Sequence, residues 1–294
     1  MKVYIIGASG MLGSTLFLNF VNNNYFKTKG SLKGKKNEYF KKFKNNIDLN
    51  IDVLKFKNLE KKILNFNPDY VVNCVGWIKQ KNYKKKNLTY LNSVFPHKLN
   101  KFLKKNKIKL IHFSTDCVFD GKKGNYELID EPNAKDSYGK SKYKGEVISK
   151  NCLTIRTSII GHELNSFSGL LEWFLKKKRY CLGYQKAFFS GLTTYEVYKF
   201  LLTLFKSKKR IFGIYHLSSK KISKYLLLNK IKKIYKKKIK IKKDYKIRID
   251  RSLSNNLSIK KLKFNSSNWD KMIKQMKNNK QKIKSYLKII NLKN

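Results

Sequence analysis

The sequence predicts an α/β protein built on a doubly wound parallel sheet, followed by a smaller α/β lobe. Three observations predict it. Apolar runs of strand type alternate with helical patterns through about the first 160 residues. Strands separated by helices need crossover connections, and those give a parallel sheet. The first run, Lys2–Ile6, passes straight into Gly7-Ala-Ser-Gly10-Met-Leu-Gly13 and then a helical pattern. A strand, a glycine turn and a helix in that order form a cradle for a dinucleotide pyrophosphate. After Arg156 the alternation loosens, and Ile239, Ile241, Tyr245, Ile247 and Ile249 mark a further strand.

Each element follows from local chemistry. The first helix runs from Leu12 to about Val21. Residues 25–28 are expected as the second strand and 47–53 as the third, with a short helix over 59–65. Pro68-Asp69 breaks the pattern before a strand at 70–75. Residues 88–106 read as a helix interrupted at Pro96. Residues 108–113 read as a buried strand ending in the hydroxyls of Ser114 and Thr115. Residues 170–178 form a helix whose Trp173 and Phe174 are assigned to the core. A helix at 195–206 and a strand at 211–216 return to the sheet. Residues 222–235 and the segment from Trp269 to Met276 are amphipathic helices. The expected division is 1–160 with 193–217 as a dinucleotide-binding domain, and 161–192 with 218–294 as a substrate-binding lobe.

The chemistry concentrates between Leu110 and Glu146. Tyr138 and Lys142 stand four apart at a helix start, on one face and one turn from each other. A free phenol titrates near 10, and a neighbouring ammonium is expected to lower that value. Tyr138 then exchanges a proton with a carbonyl or alcohol oxygen, and Thr115 holds the same oxygen from the other side. The cofactor is expected along Gly7, Ser9, Gly10, Met11, Leu12 and Gly13. It continues past Asp52 and Val53, then Cys74, Val75 and Gly76, to Ser114, Tyr138 and Lys142. Residues 27–36 carry Lys27, Lys29, Lys33, Lys35 and Lys36 where an NAD-binding protein usually carries an acid. That favours NADP(H) over NAD(H).

On these residues the chain resembles the extended short-chain dehydrogenases/reductases, and within them the dTDP-4-dehydrorhamnose reductase family. The matching pieces are Gly7, Gly10 and Gly13, then Asn73-Cys-Val-Gly76 and Ser114-Thr-Asp-Cys-Val-Phe-Asp-Gly121. Tyr138-Gly-Lys-Ser-Lys142 with Gly145-Glu146 follows, and then Arg156-Thr-Ser158. The resemblance implies a Rossmann domain and catalysis by Thr115, Tyr138 and Lys142. It implies a nucleotide-linked 4-keto-6-deoxy sugar as substrate, met by Thr115, Asp116, Cys117, Arg156 and Ser158. It leaves room for a homodimer. Cys117 stands where the family often has Tyr, and Tyr126-Glu-Leu-Ile-Asp130 places its glutamate one position early. Other readings are a dehydratase or epimerase on this scaffold, or a non-catalytic NADP-binding subunit. Dehydratases follow the threonine with Asp-Glu; here Asp116 is followed by Cys117, which lacks the second carboxyl.

Composition bounds the rest. The 68 basic residues against 18 acidic ones give a formal charge of +50, a balance that usually marks nucleic-acid binding. Here lysine is spread through every segment instead of forming one stripe, so no nucleic-acid partner is expected. The charge still steers polyanions inward. Cys74, Cys117, Cys152 and Cys181 make no Cys-x-x-Cys, which fits reduced thiols in the cytoplasm. His97, His112, His162 and His216 lack ligand spacing, so no metal site is expected. No apolar run reaches the ~18 residues of a membrane span, and the glycine turn argues against a signal peptide.

Overall fold

A computed structural model describes residues 1–34, 38–77, 85–164, 168–207 and 209–291. In chain order the first part holds β1 (Lys2–Ile6), α1 (Met11–Val21), β2 (Lys27–Ser31), β3 (Ile47–Asp48) and α2 (Phe56–Phe66). Next come β4 (Tyr70–Asn73), α3 (Lys85–Thr89), α4 (Phe95–Lys105), β5 (Lys109–Phe113), α5 (Ser137–Lys144) and β6 (Cys152–Arg156). After them lie β7 (Ile159–Ile160), α6 (Leu170–Lys176), β8 (Tyr180–Phe189), β9 (Leu192–Thr193) and α7 (Thr194–Lys206). The chain then forms β10 (Gly213–His216), β11 (Ile222–Ser223), α8 (Lys224–Tyr235), β12 (Lys240–Asp250), α9 (Asn256–Leu262) and α10 (Trp269–Asn291).

Seven strands form one parallel sheet in the order β10-β6-β5-β4-β1-β2-β3. Alternate residues of each strand face opposite sides. Val3 and Ile5 pack with Leu16, Phe17 and Phe20 of α1 and with Val197, Phe200 and Leu201 of α7. Tyr4 and Ile6 pack on the other side with Leu59 and Ile63 of α2 and Leu99 and Leu103 of α4. Helices on both faces make the sheet doubly wound, as the alternation predicts. The strand order reverses beside β1, where a crevice opens at the carboxyl ends of the strands. A second sheet, β11-β8-β12, follows the parallel one, and β7 pairs with β9.

Four local expectations need correction. The second strand starts at Lys27, because residues 23–26 close a turn in which the Phe26 N–H donates to Asn23. Phe26 itself packs against Phe20, with ring centroids 4.8 Å apart. The third strand ends at Asp48, where Asn50 takes a φ of 58° and turns the chain. Pro96 does not interrupt its helix: a π-helical turn at Tyr90–Val94 precedes it, and the Phe95 N–H reaches Tyr90. Widened hydrogen bonding ahead of the proline absorbs its missing donor. The ten-residue β8 has no counterpart among the sequence expectations; Gly183 and alternately exposed aromatics blur its pattern.

Candidate active site

The carboxyl ends of β1, β4 and β5 carry the site. After β1, Gly7 adopts a φ of +80°, a conformation that favours glycine. A β-carbon at Gly13 would collide with the Gly7 carbonyl, so the helix can close on the turn only with glycine there. Gly10 precedes α1 without a side-chain cap, and the first turn of α1 holds no acidic residue. The first amides of α1, at Met11, Leu12 and Gly13, therefore point outward beside Ser9 with the positive end of the helix dipole behind them. Those features fit a dinucleotide pyrophosphate. Gly7 lies against Val75 and the Cys74 carbonyl, which brings the β1 and β4 ends together.

At the outer end of this crevice, Lys33 forms an ion pair with Asp52 at 3.0 Å. Val53 is buried, and its carbonyl accepts from Tyr90 at 3.4 Å. Lys35 and Lys36 lie outside the described residues.

The catalytic candidates converge after β5. Thr115 caps the short turn Asp116–Val118; its hydroxyl accepts from the Cys117 N–H at 3.2 Å and donates to Asp116 at 3.1 Å. Tyr138 lies in the first turn of α5, near enough to Thr115 for that hydroxyl to act on the phenol. Lys142 sits one turn on and donates to the Phe113 carbonyl at 2.7 Å. Its ammonium also lies beside Gly76. Asn92, on the π turn, accepts from the Trp77 N–H at 2.8 Å and donates to the Ser141 hydroxyl at 3.1 Å. The irregular helix thereby locks onto α5. The site brings Thr115, Tyr138 and Lys142 together with Gly76 and Asn92.

The electrostatics reverse one expectation. Tyr138 is pushed up from the usual phenol value, not down. Burial is the main cause, the nearby Cys117, Asp116 and Asp136 groups add to it, and the Thr115 hydroxyl opposes it. Burial also depresses Lys142 to about 8, against the pull of Glu146. Desolvation penalises both charged forms at once, and the Lys142 ammonium is engaged by the Phe113 carbonyl. The pair therefore rests as neutral phenol and a readily deprotonated amine.

Two substrate candidates have a different setting. Arg156 gives Nε and Nη2 to Glu146, each at 2.8 Å, inside the core. Glu146 in turn accepts from Ser114 at 2.7 Å. Arg156, expected to meet substrate, is buried with Nε and Nη2 on Glu146 while its Nη1 has no hydrogen-bond partner among the described residues, and Ser114 faces that ion pair. The Ser158 carbonyl accepts from Leu192 at 2.8 Å, which ties it to β9. Asp116 and Cys117 remain at the site, and burial raises the Cys117 thiol to about 12.

A cavity of about 690 Å³ opens in the part of the chain after β7. It is lined by Ser168, Leu170, Trp173, Lys177, Tyr180, Cys181, Leu182, Tyr184, Lys224 and Leu228. Lys224 joins it to the catalytic turn: its charge is felt by Asp116 and Cys117, and its ammonium lies 4.3 Å from the Phe189 ring centroid. Phe174 is core as expected, but Trp173 is 37% exposed and faces this cavity. Lys224 carried no sequence signal, being one lysine in a chain full of them.

A parallel doubly wound sheet with a glycine turn, a Tyr-x-x-x-Lys helix and a threonine at the β5 end defines an extended short-chain dehydrogenase/reductase scaffold. The family model described as "RmlD substrate binding domain" matches residues 1–282, and the chain belongs to that family. Among solved structures, a hypothetical dTDP-4-dehydrorhamnose reductase from Sulfolobus tokodaii superposes with a TM-score of 0.74 at 25% identity, covering 92% of this chain and 98% of that one. A dTDP-4-dehydrorhamnose reductase from Bacillus anthracis, solved with NADP, gives a TM-score of 0.77 at 19% identity over 94% and 98% of the two chains. A probable low-salt glycan biosynthesis reductase of Haloferax volcanii is 29% identical over 117 residues, 37% of this chain. The matched stretches span only 39% and 42% of the curated relatives' own lengths. Among the described residues no helix is long and apolar enough to cross a membrane.

Proposed function

We propose that the chain is an NADPH-dependent reductase of a nucleotide-linked 4-keto-6-deoxy sugar, serving cytoplasmic synthesis of a polysaccharide precursor. The observation that carries this reading is the convergence of Thr115, Tyr138 and Lys142 between an open glycine turn and a cavity lined by cations and aromatics. When bound, NADPH supplies a hydride to the carbonyl carbon. Tyr138 delivers the proton to the carbonyl oxygen, and its raised pKa keeps that proton in place at neutral pH. Thr115 holds the oxygen from the other side. Lys142, beside Gly76, is placed to hold the nicotinamide ribose. The division into a cofactor domain and a substrate lobe belongs to the same reading, with the cavity around Trp173 and Lys224 as the seat of the sugar nucleotide. Likeness to the NADP complex from Bacillus anthracis and the Lys33 position after β2 support NADPH over NADH.

The test is a substrate panel. Purified protein is given NADPH or NADH with dTDP-, UDP- and GDP-linked 4-keto sugars, and loss of reduced-cofactor absorbance is followed. The expected result is turnover with at least one of them and a higher catalytic efficiency with NADPH. No turnover across the panel overturns the reading, and equal use of NADH overturns the cofactor preference.

Lys224→Met is expected to raise KM for the sugar nucleotide roughly 10- to 100-fold, the range for a lost hydrogen bond to a charged group. NADPH affinity should stay as in the parent. Steady-state kinetics with each substrate varied in turn separates the two.

A further inference from the structure

Arg251 follows β12, far along the chain from the catalytic turn, yet its guanidinium reaches into it. Nε donates to the Phe119 carbonyl at 2.8 Å, and Nη2 donates to the Asp120 carbonyl at 3.4 Å. Nη1 approaches the Cys117 sulfur at 3.8 Å. Nη2 also lies 3.9 Å from a carboxylate oxygen of Asp136. Asp136 is the N-cap of α5, its other oxygen accepting from the Gly139 N–H at 2.9 Å. One side chain therefore spans the turn that begins at Thr115 and the cap of the helix that carries Tyr138.

The backbone around Arg251 is held from several sides. The Asp250 N–H donates to Gly121, the Tyr126 N–H to Ser252 and the Ser254 N–H to Tyr126, each at 2.8 Å. Tyr126 stacks on Phe119 with centroids 4.1 Å apart and rings 7° from parallel. Gly139 lies so close to the Cys117 carbonyl that a β-carbon would collide with it, so α5 and the turn touch directly. A planar fork with fixed donor directions suits such a junction better than a point charge.

We propose that Arg251 is a positioning residue for the reaction, setting the separation of the Thr115 and Tyr138 hydroxyls and tying that setting to the β12 segment. It touches neither the cofactor turn nor the proposed sugar cavity, so its action is on geometry. The proposal rests on the reductase reading above. Reaction rates are steep in this quantity: a shift of about 1 Å in a positioned group can cost 10²-fold.

The experiment compares the parent with R251A, R251K and D136N in the NADPH assay, alongside thermal melting and NADPH binding. R251A is expected to lower kcat roughly 10- to 100-fold while NADPH binding stays within twofold. R251K should recover little of this, since one ammonium cannot satisfy the separated acceptors. Added guanidinium chloride at low millimolar concentration should restore part of the R251A rate, and sodium chloride should not. D136N keeps a side-chain oxygen for the cap and loses the charge toward Arg251. It should lower kcat several-fold in the parent and add nothing in R251A, the signature of a shared interaction. An inactive parent overturns the reductase reading. An active parent with kcat unmoved by R251A overturns the positioning role, as does loss of rate that only tracks melting and resists guanidinium. If R251A does not fold, unchanged kcat in D136N overturns it.

Discussion

Tyr138→Phe is expected to reduce turnover by roughly 10²- to 10⁴-fold, the range for loss of a general acid, with NADPH affinity close to that of the parent. The ring keeps its packing, and the Gly7–Gly13 turn proposed to hold the phosphates lies on other elements. The only atom lost is the phenol oxygen near Thr115. A fall in kcat with little change in KM identifies a contact made as the reaction proceeds. The direction of the Tyr138 shift adds a second readout. A reductase needs the protonated phenol. Burial raises the phenol, so the proton is retained through neutral and mildly alkaline pH. The parent should therefore show no loss of rate from Tyr138 below its raised value. Single-turnover measurements of reduced-cofactor oxidation across pH separate this chemical step from product release. A Tyr138→Phe variant that turns over like the parent would remove the catalytic assignment.

Much of this site was legible in the sequence because its parts are local. The glycine turn needs only the order strand, turn and helix, and Gly7, Gly10 and Gly13 sit where that order requires. Tyr138 and Lys142 needed only helical spacing, and α5 provides it. What sequence could not supply was partnership across distance. The resemblance put Arg156 with the substrate, and only folding pairs it with Glu146. Trp173 shared a helix with Phe174, and one turns out to the cavity while the other enters the core. Arg251 is 134 residues from Cys117 along the chain. The sign of the Tyr138 shift belongs to the same class. Spacing shows that an ammonium is near, but the desolvation that outweighs it depends on the elements packed around both groups.

Lys142→Met is expected to remove two things together. The ammonium beside Gly76 and the Phe113 carbonyl is lost, so NADPH binding should weaken roughly 10- to 100-fold, as for a hydrogen bond to a charged group. The pH profile should also change shape. Burial lowers Lys142 to about 8 in the folded protein, so the charged form is present below that value and is lost as pH rises through it. In the parent, kcat/KM for NADPH should fall on the alkaline side with a midpoint near about 8. Bound phosphates favour the ammonium, so the corresponding limb of kcat should lie at higher pH; kcat/KM reports the free enzyme and kcat the complex. In Lys142→Met that limb should disappear from kcat/KM, leaving a lower and flatter profile. The alternative is that Lys142 acts by lowering the Tyr138 pKa. Removing it would then keep an alkaline limb and move it upward. A profile from pH 6 to 10, as the range of measurement, on the parent and Lys142→Met separates these outcomes, because the first role predicts loss of the limb in the variant and the second its upward displacement.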